Sequence, residues 1–172
     1  REQKIQLHQR QEQWEEAAHC TQALISHTRV RGAVHVRKLV DLYERAERPD
    51  LALQWIPAWK RAAPGSSTVW LTQADLLAKQ GHPVEAIDTL RRAHALFDRD
   101  SAVLQQWAVL CRKAERHAEA QRLYWRLYEQ AEDVSAKLRW VRDLAVTALT
   151  LKQESVLIEA FQQRRRSHRS SI

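Results

Sequence analysis

The chain has 172 residues, of which 44% are hydrophobic and 28% charged, with only three glycines and four prolines. So few chain breakers fit an all-helical fold. No apolar run approaches the roughly 20 residues that a membrane-spanning helix needs, and the net charge of +7 makes polyanion binding one reading to weigh.

In chain order, residues 1–31 read as a worn helical unit. Trp14-Glu15-Glu16-Ala17 opens a helix whose inner face Leu24 or Ile25 continues, and residues 1–12 fit the end of a preceding helix. From residue 33 the apolar positions recur at helical spacing, with Val36, Leu39, Val40 and Tyr43 on one face. A second helix follows, in which Pro57 removes a hydrogen bond and predicts a kink. Pro64-Gly65-Ser66-Ser67 is the strongest break in the chain, and its serines suit a helix N-terminus.

The stretch from Trp70 to Asp98 carries the clearest pattern. Trp70, Ala74 and Leu77 share one helical face, Gly81 ends that helix in the left-handed conformation, and Pro83 suits the first turn of the next. Ala86, Leu90 and Ala93 then share a face, with small residues where two helices must approach closely. Residues 101–132 repeat the arrangement. Leu104, Trp107, Ala108 and Cys111 line the first helix, and Ala120, Tyr124 and Leu127 the second. No glycine separates these two helices; Glu115 stands where Gly81 stood, so the turn is expected to hold at some cost in strain. Residues 135–150 and 153–166 make a last pair, with a stripe of Leu138, Val141 and Ala145 and with Arg142 at a site that should be small.

These segments recur at one period. Ala52, Ala86 and Ala120 follow at steps of 34 residues, as do Val36, Trp70 and Leu104, then Val40, Ala74 and Ala108, then Tyr43, Leu77 and Cys111, then Ile56, Leu90 and Tyr124. A period of 34 is that of a helix–turn–helix repeat. The step from Ala17 to Ala52 is 35, which leaves the register of the first unit open. A bulky residue, a small one, a large one, then Gly and a conspicuous Ala: the pattern resembles the tetratricopeptide repeat family, with Pro64 at its usual closing proline. Trp59 departs from that pattern, replacing a small residue.

The resemblance implies an all-α fold, a right-handed α-solenoid of about ten antiparallel helices, in which each repeat packs mainly on its neighbours. The expected division is a single repeat domain over 1–172, with a degenerate repeat at 1–31, repeats at 33–66, 67–100 and 101–134, a degenerate terminal pair at 135–166 and a tail at 167–172. A chain that begins at Arg1 and contains no methionine reads as a segment of a longer protein.

Candidate chemistry is sparse. Cys20 and Cys111 read as reduced, buried thiols. Of the eight histidines none makes a HExxH spacing, and His19, Cys20 and His27 are too far apart along one helix for joint metal ligation. No phosphate-binding loop or nucleophile elbow is present, so no enzyme activity, cofactor or metal is expected. Among seven tryptophans, Trp59, Trp70 and Trp107 fall on core positions, while Trp55, Trp125 and Trp140 fall beside the stripe. Arg164-Arg165-Arg166 with His168 and Arg169 read as a solvated helix end.

The resemblance implies a non-catalytic scaffold that binds a peptide or partner domain on a concave groove lined by the first helix of each repeat. Carried onto this chain, the groove is Arg37, Asp41, Arg45, Leu71, Asp75, Gln105, Val109, Arg112, Arg139 and Asp143. Asp41, Asp75 and Val109 stand where carboxylate-clamping relatives place asparagines, which disfavours that specific function. Nucleic acid is disfavoured as partner because acids lie among the groove cations. Two alternatives remain: an RNA-processing scaffold of the half-a-tetratricopeptide kind, and a docking segment of a bacterial export or envelope-assembly protein.

Overall fold

The computed structural model describes residues 12–23, 25 and 32–169. Among these there are nine helices and no strand. They are α1 (12–23), α2 (Ala33–Arg45), α3 (Pro49–Ala62), α4 (Ser67–Lys79), α5 (Pro83–Leu96), α6 (Ser101–Lys113), α7 (His117–Gln130), α8 (Val134–Leu151) and α9 (Glu154–Arg169). A tenth helix, expected before α1, and the readings on His27 and Leu24 lie outside the described residues, as do the side chains of Arg164, Arg165, His168 and Arg169. Two compact units divide the chain, Arg1–Ala93 and His94–Ile172.

Within the first unit α2 packs on α3 and α3 on α4. The recurrent alanines explain the close approach: Ala52 and Ala86 are both fully buried. Ala18 joins them, whereas Ala17 is only half-buried. Ala18 lies one regular period of 34 before Ala52, so the step of 35 counts from the wrong one of two adjacent alanines. Trp59 is buried and joins a core of Val36, Leu39, Val40, Tyr43 and Ile56. In α4 the buried residues are Val69, Ala74 and Leu76, while Trp70 and Leu77 are half-buried. The expected stripe is therefore rotated by one residue at both ends. α3 runs through Pro57 as one helix. Arg48 ties α1 to the start of α3 by pairing with Glu15 at 2.6 Å and Asp50 at 3.2 Å.

Within the second unit α7 packs on both α6 and α8, and α8 on α9. Leu104, Ala108, Cys111, Ala120 and Tyr124 are all fully buried. The last pair differs from expectation. Leu138 is 64% exposed, and the buried face of α8 is Trp140, Leu144, Thr147 and Ala148. Thr147 is satisfied within its own helix, donating to the carbonyls of Asp143 and Leu144.

The turns explain the shift. After α2, α4 and α6 the chain closes with the same bond: Arg48 to the Tyr43 carbonyl, His82 to Leu77, and Arg116 to Cys111, with the residue before each donor left-handed. Those residues are Glu47, Gly81 and Glu115, 34 apart, with φ of 56°, 83° and 58°. After α8 the equivalent bond joins Gln153 to the Ala148 carbonyl, and Lys152 is left-handed at 55°. That is 37 residues beyond Glu115, three more than the regular step, and α8 is the longer helix, with 18 residues where α6 has 13. Counted at 37, Trp107 corresponds to Leu144, Cys111 to Ala148, and the small site of Ala108 to Ala145. Arg142, at the small site under a step of 34, is solvent-exposed instead.

Candidate functional site

The exposed faces of the first helices of each pair are α2 and α4 in the first unit, α6 and α8 in the second. In the first unit Arg37 and Asp41 sit one turn apart on α2, 3.9 Å apart, both well exposed. Asp75 on α4 pairs with Lys79 at 2.8 Å, and Lys79 also donates to Glu44 on α2. These contacts hold Lys79 above its ordinary pKa, through hydrogen bonds to Asp75 and then Glu44. Leu71 is half-buried. Arg45, placed on the groove by sequence, lies over the Trp14 ring at 4.9 Å. The position equivalent to Arg112 is Glu44, one residue earlier. A cleft of about 310 Å³ opens beside this network, lined by Glu44, Glu47, Pro49, Leu76 and Lys79.

In the second unit Gln105 is exposed and Val109 half-buried on α6. Arg112 is half-buried, with its Nε shut off from water, and is not the solvent-facing cation expected of it. It sits beside the hydroxyl of Tyr124. Burial raises that phenol's pKa most, Arg112 opposes the rise, and Asp143 adds to it. Arg112 of α6 and Asp143 of α8 thus converge on α7. Asp143 is correspondingly turned inward, its side chain 16% exposed, and Arg142 approaches it at 4.0 Å. Arg139 lies against the ring of Trp140, 5.6 Å from its centroid. Under the 37-residue step the equivalents of Gln105, Val109 and Arg112 on α8 are Arg142, Val146 and Leu149. These three are exposed, Val146 at 41% and Leu149 at 61%. Counting back from the turn after α8 finds them; counting forward from α6 gives Arg139 and Asp143.

Other side chains decide the remaining readings. Cys111 is buried but Cys20 is exposed, contrary to expectation. Trp140 is buried and stacks on Tyr124 at 6.2 Å, so it is a core residue and not a half-exposed one. Trp125 is half-buried, with Phe161 at 4.8 Å and Tyr128 at 5.6 Å. Trp70 carries the Lys60 ammonium 3.1 Å above its ring centre. Burial lowers the pKa of Lys60, with the Arg92 charge adding to it. Trp55, Pro57, Ile25, Val36 and Arg61 help to line a second cleft, of about 330 Å³, in the first unit. No group of three or more His, Cys, Asp or Glu converges as a metal site among the described residues. Nor is any described helix long and apolar enough to cross a membrane.

No protein-family model matches the chain, and no curated protein matches it by sequence. Solved structures match its fold. The MamA protein superposes with a TM-score of 0.65 at 15% identity, over 87% of this chain and 80% of its own. YrrB, described as a TPR protein with an unusual peptide-binding site, gives 0.63 at 17% identity, over 86% and 74%. TTC0263, a thermophilic TPR protein of Thermus thermophilus, gives 0.59 at 24% identity, over 74% and 71%. The chain has the all-helical fold of tetratricopeptide-repeat proteins.

Proposed function

We propose that this chain is a non-catalytic interaction scaffold, binding a peptide or a partner domain along the exposed faces of its first helices. The single repeat domain of five units, with the last counted at 37 residues, belongs to the same reading. The observation that carries it is the composition of those faces. Arg37 with Asp41, Lys79 with Asp75 and Glu44, then Gln105, Val109, Val146 and Leu149, offer both charge signs and apolar contact. Mixed faces of this kind suit a protein surface, where charge complementarity sets register and apolar contacts add affinity. Nucleic acid presents a uniform line of negative charge that Asp41 and Asp75 would oppose. The peptide-binding site described for YrrB is consistent with this use of the fold.

The test is titration of a native partner against the chain and against Arg37→Glu combined with Gln105→Glu, both at exposed positions. Binding should weaken about tenfold or more, roughly 1.4 kcal/mol, with helicity by circular dichroism unchanged. Unchanged affinity, or tight binding of single-stranded RNA at physiological salt, would replace this reading with the RNA one. Arg112→Glu does not serve as a probe, because its half-buried Nε makes it a stability change as well.

A further inference from the structure

The two units do not offer the same surface. In the first, α2 and α4 carry four cations and three acids, and the charges on their shared face are already engaged with one another through Arg37, Asp41, Lys79, Asp75 and Glu44. In the second, α6 and α8 carry five cations against one acid; Lys113, Arg139 and Arg142 are exposed, while Arg112 is half-buried beside Tyr124. That acid, Asp143, has a side chain only 16% exposed and lies 4.0 Å from Arg142, so the remaining cations of the face have no acid of their own helices to offset them. Set into this field are three aliphatic side chains, Val109 and Val146 at equivalent places along the two helices and Leu149 at the place of Arg112, with Val146 and Leu149 well exposed.

We propose that this face of the second unit seats an acidic segment of a partner protein that bears aliphatic side chains. The inference rests on the reading of the first-helix faces as protein-binding and names the chemistry of the occupant. A face whose exposed cations outnumber its acids attracts carboxylates and speeds their encounter. Leu149 and Val146, exposed to water, regain hydrophobic free energy only against an apolar partner group. RNA satisfies the first condition but not the second. Single-stranded bases bind by stacking on aromatic rings, and the face offers branched aliphatic chains. The nearby rings of Trp125, Tyr128 and Phe161 are engaged with each other on α7 and α9.

The probes are short labelled peptides of fixed leucine content, graded from acidic to basic, together with an acidic peptide in which serine replaces leucine and a single-stranded oligouridylate. Fluorescence anisotropy at physiological salt reads the binding. The acidic leucine peptide should bind tightest, with affinity falling as charge reverses and at least about tenfold lower for the serine peptide. Leu149→Ser and Arg142→Glu should each weaken it about tenfold, while Arg91→Glu, exposed on the second helix α5, leaves it unchanged. A flat or reversed charge ranking, no binding by any peptide, or binding of the oligouridylate above all peptides would overturn the proposal. If the ranking fails while a native partner still loses affinity with Arg37→Glu and Gln105→Glu, only the occupant's chemistry is wrong. If that partner is indifferent to every face variant, the scaffold reading itself fails.

Discussion

Four residues hold the left-handed conformation at the ends of first helices, and only one of them is glycine. A side chain in that region costs about 1–2 kcal/mol, and the space around Gly81 is open to 4 Å, so conformation alone decides the matter. Gly81→Ala should therefore cost about 1 kcal/mol in urea unfolding, and Glu115→Gly should gain a fraction of that after glycine's greater chain entropy is subtracted. Equal effects of the same sign would contradict this account of the turns. Ala86 tests the opposite constraint. It is fully buried, so Ala86→Leu should overpack the helix contact and cost about 1–3 kcal/mol. His94 gives a pH dependence. Burial first, then Arg126 with Nη1 at 3.3 Å, lower its pKa, against a smaller opposing pull from Asp98. The unfolded chain thus takes up this proton before the native one does. The penalty is absent above the unfolded value of about 6.5, grows as pH falls through it, and levels off below the folded value. His94→Gln should flatten the loss of stability between neutral and mildly acidic pH.

At the scale of the helix, the pattern was legible wherever a small residue recurred. Ala52, Ala86 and Ala120 sit at one step because paired helices there leave no room for more, and all three are fully buried. The turns at Glu47 and Lys152 were not legible, because no glycine marks them. The register of α8 was hidden for the same reason. Its extra length lies ahead of the buried face, and Leu138, one period after Leu104, looked like the next member of the stripe. Substitution separates the two registers. Leu144 is fully buried, so Leu144→Ala should cost about 2–5 kcal/mol. Leu138→Ala, at an exposed site, should stay within about 0.5 kcal/mol. The reverse order would restore the 34-residue step. The candidate site inherits this lesson: Arg37, Asp41, Leu71, Asp75, Gln105 and Val109 were reached from sequence at the regular step. Val146 and Leu149 needed the length of α8.

At the scale of the molecule, net charge was readable but its distribution was not. A chain of charge +7 with arginines throughout looks evenly basic until ion pairs are assigned. Lys79 is then consumed by Asp75 and Glu44, whereas α6 and α8 carry five cations against one acid. The central claim is that partner proteins are bound by the first helices of the pairs. Backbone amide chemical shifts recorded while a native partner is added test it most directly. Perturbations are expected along α2, α4, α6 and α8, strongest around Val146 and Leu149. Perturbations concentrated on the second helices α3, α5, α7 and α9, with the first helices silent, would contradict it.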